Sequence, residues 1–381
     1  MKKAFYIIYA VFFNIFSILP LKKNKITFLS PHNENFNDSL GAVLEEVVRR
    51  DEFRVILISG RDLKIDRSSI GSFFAGIKRA ISFFTVKAYH LATSAFVFMN
   101  DNFMPMGKLR FKSSAVITQL WHAEGAFKKF GFDIDQPEEI RVLEKAGNEK
   151  LTYVVCSSEE VVPIYSGAFG VSDYKVLPLG SARSDYFFKK INAERLRSDF
   201  DRSYPQCKGK KLALYAPTFR DNPSEDIGIL DNFDINAFNE RFGDEYSLLI
   251  RLHPQVHADV VIPDGAVDMC DYDNTLELMK LCDFLITDYS SICMDFAIQD
   301  KPVYFYAFDL DSYESERSFY FDYESYVPGP VAKDFQTLMN LINSTVSETY
   351  RMRRADFSTS NFGTPDGKAA QRIVDRIIYE K

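Results

Sequence analysis

The sequence has few of the features that would place it quickly in a metal, disulfide or nucleotide-loop class. Its five cysteines, Cys156, Cys207, Cys270, Cys282 and Cys293, are odd in number and scattered, and form neither a CxxC pair nor a Cys/His cluster. That pattern argues against a disulfide framework and a structural zinc site, and for a reducing, cytoplasmic setting. No Walker A loop, GxGxxG fingerprint or HExxH helix occurs, and acidic side chains are not gathered into an evident ligand set. A cationic anion site with no metal and no cofactor therefore fits better than a metal-dependent one. The net charge of −7 argues against electrostatic binding of nucleic acid by the chain as a whole.

A long hydrophobic run is also missing. The longest, Ala4–Pro20, is broken by Asn14 and Ser17 and flanked by Lys2, Lys3, Lys22 and Lys23. As a helix it would be roughly 25 Å long, short of the ~30 Å hydrocarbon core. It has no small-x-small cleavage site, and lysines on both flanks do not suit a secretory signal. Residues 1–24 therefore read as a segment lying on, or partly inserted in, a membrane surface; docking on the protein's own surface is the rival reading.

What is present is a globular chain too long for one ordinary core: 381 residues, 46% hydrophobic. From Lys25 onward short apolar strands alternate with helical patterns, the signature of parallel sheets covered by helices. Strands are expected at Ile26–Leu29, Arg54–Ser59, Ala95–Met99, Ala115–Leu120 and Thr152–Cys156, with a long helix from Ser72 to about Leu91. A polar interval interrupts the rhythm, after which strands follow at Leu212–Tyr215, Ser247–Leu252, Asp283–Thr287 and Pro302–Tyr306. The expected organisation is an α/β chain of two doubly wound domains, 25–190 and 211–381, joined by a linker at 191–210. Two such domains in tandem imply a cleft, with ligands at the carboxyl ends of the strands.

Polar clusters fall at those ends. In TQLWHAEGAFKKFG, residues 118–131, a strand delivers His122 to a loop beside Glu124 and Gly125, with Lys128 and Lys129 expected in the first turn of a helix. A histidine so placed suits proton abstraction next to an anionic substrate; a hydrogen-bonded core histidine is the alternative. In the second half, APTFRD supplies Thr218 and Arg220, RLHP supplies Arg251 and His253, and TDYSS supplies Thr287, Asp288, Ser290 and Ser291. Hydroxyls and free N–H groups at a helix start suit phosphate, against simple capping. Alternation along a strand would put Arg251 and His253 on one face, as a clamp for a pyrophosphate. From Arg67 to Asn100 there is no acid, and Lys78, Arg79 and Lys87 are interleaved with Phe73, Phe74, Ile77, Ile81, Phe83 and Phe84. Such a stretch suits the headgroup region of anionic lipid, or an ordinary sheet-covering helix.

These motifs, WHAEGAFKKFG, YAPTFRD, RLHP, LITDYSSICMDF and KPVYFYAFDLDSY followed by PGP, resemble those of the CDP-glycerol glycerophosphotransferase family, the wall teichoic acid primases and polymerases. WHAxGAxKKFG looks more like the primase branch. The resemblance implies a GT-B fold, no cofactor, and attachment to the cytoplasmic face of the membrane. It also implies His122 as catalytic base, with His253, Ser290, Ser291 and Arg317 handling the phosphates of CDP-glycerol. Glu124, Gly125 and Lys128 would lie on the acceptor side, and the acceptor would be a polyprenyl-diphosphate-linked disaccharide. Two departures stand out: Ser318 replaces the usual glycine after Arg317, and NFNDSL at Asn35–Leu40 replaces a pattern resembling YSDNPK. The expected activity is transfer of glycerol phosphate with release of CMP. CDP-ribitol use, polymerisation, sugar-nucleotide glycosyl transfer and a silent assembly role are the rivals.

Overall fold

The β–α alternation becomes two six-stranded sheets, each parallel throughout, in the computed structural model. The structure describes residues 2–64, 69–220, 228–253, 256, 260–316, 318–344 and 348–380. Two units result: residues 1–185 with 362–381, and residues 186–361.

In the first unit β1 (Lys22–Ser30), β2 (Arg54–Ser59), β3 (Ser94–Met99), β4 (Val116–Gln119), β5 (Tyr153–Cys156) and β6 (Val176–Pro178) take the order β2-β1-β3-β4-β5-β6. The order reverses between β1 and β3, the switch point at which open α/β sheets leave a crevice beyond their strand ends. Ile26, Phe28, Val97 and Phe98 are all fully buried, as strands covered on both faces require.

Helix α1 (Lys2–Phe16) spans most of the apolar N-terminus, and one face of it docks on this unit. Tyr9 and Phe13 are wholly buried, with Tyr9 packed 4.8 Å from Phe83 and Phe13 4.7 Å from Phe111. Burial of Phe13 stabilises the docking by ~1.5–3 kcal/mol, whereas the Tyr9 hydroxyl, buried with no hydrogen-bond partner among the described residues, offsets part of what its ring contributes. Asn14, the polar interruption, is used: it donates to the Lys108 carbonyl and accepts from the Arg110 N–H. Helix α2 (Ser39–Arg50) is capped by Asp38, which accepts from the Leu40 N–H. The long helix expected from Ser72 runs as α3 (Ile70–Ser82), a π turn at Phe83–Lys87 and a last turn at Ala88–Ala92.

The domain boundaries differ from the expected ones in two places. The final helical segment, from Ala369 onward, belongs to the first unit, where Ile373, Val374 and Ile377 pack with Ile26, Leu40 and Val43. Residues 191–210 are not a linker: Ala193–Ser203 is a helix of the second unit, capped by Asn192 and seated on buried Phe200. Arg197 ties it down through the carbonyls of Cys207 and Lys210. Its charge misleads because one buried aromatic suffices to anchor a short helix whose other faces are solvated.

In the second unit β7 (Lys211–Ala216), β8 (Tyr246–Ile250), β9 (Val267–Asp268), β10 (Phe284–Thr287), β11 (Val303–Tyr306) and β12 (Val331–Ala332) take the order β12-β11-β10-β7-β8-β9. Counted within the unit this is the 3-2-1-4-5-6 order of a dinucleotide-binding sheet. Its switch point lies between β7 and β10, so the loops carrying Thr218–Arg220 and Asp288–Ser291 emerge side by side.

Candidate functional site

The loop after β4 is held in a shape that presents His122 outward. Trp121 occupies the left-handed region at φ 60°, which a bulky side chain enters only when its surroundings compel it. Its N–H donates to Gln119 Oε1 at 2.9 Å, and its ring stacks on Phe130 at 5.1 Å and meets the edge of Phe169. With Trp121 buried and pinned, the next side chain turns to solvent, and His122 is 43% exposed. A core histidine would not be.

One nitrogen of that imidazole faces the protein. His122 Nδ1 lies 3.2 Å from the carbonyl oxygen of Asn100 and 3.6 Å from Asp101 Oδ2. A carbonyl can only accept, so this contact assigns the proton to Nδ1 and leaves Nε2 with its lone pair directed away. Asn100 is itself fixed across the β1/β3 switch point, donating to Ser30 Oγ and Asp38 Oδ2. Neither Asn100 nor Asp101 was singled out from the sequence, although both directly follow the expected strand Ala95–Met99.

The rest of the loop is braced from several sides. Glu124 accepts from Ser39 Oγ at 2.7 Å, and Tyr165 donates to the Ala123 carbonyl at 2.8 Å. Gly125 and Gly131 have φ of 65° and 58°, and a Cβ at Gly131 would stand 2.1 Å from the Ala168 carbonyl oxygen. The expected helix at Lys128 and Lys129 does not form. Two left-handed glycines, one on each side, break the run of right-handed backbone that a helix needs, and half-buried Lys128 sits in an irregular loop.

The second unit gathers its motif residues into a buried network. Arg220, 6% exposed, donates from Nε to Asp309 Oδ2 at 2.7 Å and from Nη2 to Asp288 Oδ2 at 3.0 Å. Its Nη1 returns to the Thr218 carbonyl. Burial alone would weaken this cation; Asp288 and Asp309 more than offset it and hold the guanidinium above its ordinary range. Asp288 also accepts from the Thr218 and Tyr289 N–H groups, and Tyr289 donates to Asp309 while stacking on Tyr313 at 3.8 Å. Thr287 is fully buried, its hydroxyl donated to the Ala216 carbonyl. Arg220, Thr287 and Asp288, expected to touch substrate, thus have their polar groups engaged inside the unit. Asp309 and Tyr289 were missed, although both lie within motifs already noticed.

Other residues are presented outward. Ser291 is exposed and Ser290 half-buried at the start of the helix Ile292–Ala297. Ser291 makes no side-chain cap there, and Ser290 Oγ is a long 3.4 Å from the Ile292 N–H. The Thr218 hydroxyl is buried without a hydrogen-bond partner among the described residues. His253 is exposed, its ring 4.8 Å from that of Phe219.

The strand alternation on which the expected clamp of Arg251 and His253 rests does not extend to these two residues. β8 stops at Ile250, so alternation no longer governs the side chains that follow. Arg251 turns inward and donates to the carbonyls of Met269 and Tyr272, with burial pulling its guanidinium below its ordinary range. Arg317, Asp221 and Pro254 lie outside the described residues. Among the described residues no group of three or more acidic, histidine or cysteine side chains is placed to hold a metal ion.

Two parallel six-stranded sheets, each with polar loops at its carboxyl edge, define an α/β protein of the GT-B-like class. A structure of the wall teichoic acid polymerase TagF, in a variant soaked with CDPG, has the same fold, with a TM-score of 0.77, 22% identity, and coverage of 97% of this chain and 92% of that one. The chain belongs to the CDP-glycerol:poly(glycerophosphate) glycerophosphotransferase family, which matches residues 11–379. It is 33% identical to a teichoic acid poly(ribitol-phosphate) polymerase of Bacillus spizizenii, over 96% of this chain but only 58% of that relative's length. It is 32% identical to the teichoic acid ribitol-phosphate primase of the same organism, over 95% and 92% of the two chains. A teichoic acid glycerol-phosphate primase of Bacillus subtilis is 30% identical over 77% and 76%. Primases and polymerases, glycerol and ribitol enzymes, thus stand at similar distances, and the expected lean toward the glycerol primase branch gains no separate support.

Proposed function

We propose that this chain transfers glycerol phosphate from CDP-glycerol to a hydroxyl of a lipid-linked saccharide, releasing CMP. The observation that carries the reading is His122, displayed on a braced loop with Nδ1 committed to a carbonyl, in a chain of this family. Nε2 takes the proton of the acceptor hydroxyl, and the oxygen attacks the β-phosphorus of the donor. The bond from that phosphorus to the bridging oxygen breaks, and CMP leaves with the electron pair. Ser290, Ser291, the Thr218 hydroxyl and His253 are the groups we assign to the donor phosphates. Arg220, Asp288 and Asp309 act through them, by fixing the loops on which they stand.

The reading includes peripheral attachment to the cytoplasmic face of an anionic membrane. No helix among the described residues is long and apolar enough to cross a bilayer. The face of α1 turned away from the protein carries Ile7, Ile8, Val11 and Ile15, each about half exposed, and α3 exposes Phe74 and Ile81. Rows of this kind, with Lys22, Lys23 and Lys78 nearby in sequence, suit a headgroup layer.

A second reading keeps the chemistry and changes the donor to CDP-ribitol, favoured by the two ribitol-phosphate relatives. The test is CMP release from each donor with a polyprenyl-diphosphate disaccharide, followed by the mass of the product. One added unit means a primase and a ladder a polymerase. Release of a nucleoside diphosphate from sugar nucleotides, with no CMP from either polyol donor, would sink the proposal.

A further inference from the structure

β1 and β2 end side by side, and the segments that follow them line an open cavity of about 380 Å³. Asn35 and Asn37 enter it from the loop after β1, Arg61 and Asp62 from the turn after β2, and Arg79 and Lys87 from α3 and its π turn. Both of its carboxylates are already engaged. Glu34 is held by Lys64 at 2.6 Å, while Asp62 accepts from the Ser59 N–H at 3.0 Å and faces Lys87 at 3.4 Å. The Lys64 hydrogen bond, with the charges of Lys64, Arg61 and Arg79, outweighs desolvation and holds the Glu34 carboxyl below its usual range.

Two guanidinium groups keep donors to spare. Arg61 is exposed and forms no ion pair among the described residues. Arg79 donates from Nη2 to the Lys64 carbonyl, and its Nε has no partner among the described residues. The helix that supplies Arg79 also leaves Phe73, Phe74 and Ile81 uncovered, and Val86 follows on the π turn. A ligand seated here meets guanidinium and amide donors together with the side chains of Phe36 and Leu57, and the uncovered apolar side chains lie on the neighbouring helix and π turn. Guanidinium forks suit phosphate oxygens in particular.

We propose that this cavity binds the phosphate or diphosphate of an amphiphile, namely the anionic head of the lipid-linked acceptor. The assignment rests on the function proposed above and places the acceptor's anion within the first unit. In the order β2-β1-β3-β4 the cavity is two to three strands from the loop of His122, ~10–15 Å at the spacing of paired strands. That interval leaves room for a short saccharide between the bound anion and the hydroxyl offered to Nε2.

The test titrates the full chain with farnesyl diphosphate in detergent, with inorganic pyrophosphate as competitor, and separately with phosphatidylglycerol vesicles. Wild type is compared with Arg61→Glu and Arg79→Gln. Farnesyl diphosphate should bind the wild type and be displaced by pyrophosphate, and each substitution should weaken it roughly tenfold or more. Affinity unchanged in both variants overturns the proposal; so does binding confined to the vesicles, which would make the cavity a contact for bulk lipid. Arg61→Glu, at an exposed position, serves if Arg79→Gln fails to fold. Donor affinity measured on the same samples separates the two failures. A chain that binds no CDP-polyol sinks the function, whereas normal donor binding with prenyl diphosphate binding insensitive to both substitutions sinks the cavity alone.

Discussion

At the end of β4 a histidine stands nearly half in solvent, carried by a strained tryptophan and two left-handed glycines. At the end of β7 an arginine lies 6% exposed between two carboxylates, under a stacked pair of tyrosines. Both are basic groups in polar motifs at the carboxyl edge of a parallel sheet, yet one is displayed and the other enclosed. The difference follows from their partners. His122 has a carbonyl and one more distant carboxylate on a single side, so its other nitrogen is available. Arg220 has acceptors around it and is available to nothing outside. Position at a strand end marks a functional neighbourhood, and the count of internal partners separates the group that acts from the group that supports.

The largest effect that could break this comparison is the loss of the displayed group. His122→Ala should lower CMP release by about 10²–10⁴-fold, the range for a general base, with thermal unfolding and donor affinity unchanged. A large fall in melting temperature would instead make His122 a structural residue. The enclosed group should behave in the opposite way. Arg220→Ala leaves Asp288 and Asp309 without their cation and should cost about 3–5 kcal/mol in denaturant unfolding of the second unit. Arg220→Lys should recover only part of this, because an ammonium cannot reproduce the forked contacts. Full stability in Arg220→Ala would show that the network is not a scaffold.

A second buried cation asks whether burial or pairing decides the outcome. Lys25 is fully buried; its ammonium donates to the Thr93 hydroxyl and lies 4.8 Å from the centre of the Tyr89 ring. It has no carboxylate in ion-pair range among the described residues, and burial, with Lys22 and Arg54 nearby, lowers its ammonium from 10.5 to about 8. The unfolded chain therefore binds more protons between those values, and the penalty is full below about 8 and relieved as pH rises toward 10.5. Lys25→Met should be more stable than wild type at neutral pH by on the order of 3 kcal/mol, an advantage that fades across that window. Equal stability at all pH values would mean that the site holds the charge at no cost.

Much of the fold was legible because parallel strands are covered on both faces and stand out as apolar runs, such as Ala95–Met99, with polar loops after them. The motif loops were legible for the same reason. What the sequence could not reveal depends on packing at long range. Asp309 reaches Arg220 from 89 residues away, and nothing local marks it as a partner. The helix at Ala369 carries an apolar face that would fit either sheet. Arg251 and His253 looked like neighbours on one face because the strand was expected to continue to Leu252, and it ends two residues sooner. Lys128 looked helical because the left-handed conformation of Gly125 and Gly131 is a property of the folded loop.

The smallest effect concerns the more distant carboxylate beside His122. Asp101 Oδ1 accepts from the Asn102 N–H at 2.7 Å, which fixes the other oxygen 3.6 Å from Nδ1. At that distance it contributes little while the ring is neutral and more once the ring has taken the acceptor's proton, since only then does Nδ1 carry part of a positive charge. An interaction that strengthens on the way to the transition state lowers the barrier without tightening substrate binding. Asp101→Asn keeps the shape and an acceptor oxygen but removes the charge, so kcat should fall about tenfold while KM for the donor stays unchanged. A merely structural role would raise KM or lower the melting temperature together with kcat. If kcat were untouched, the Asn100 carbonyl alone would suffice to orient the ring, and the displayed group would depend on its backbone contact rather than on charge.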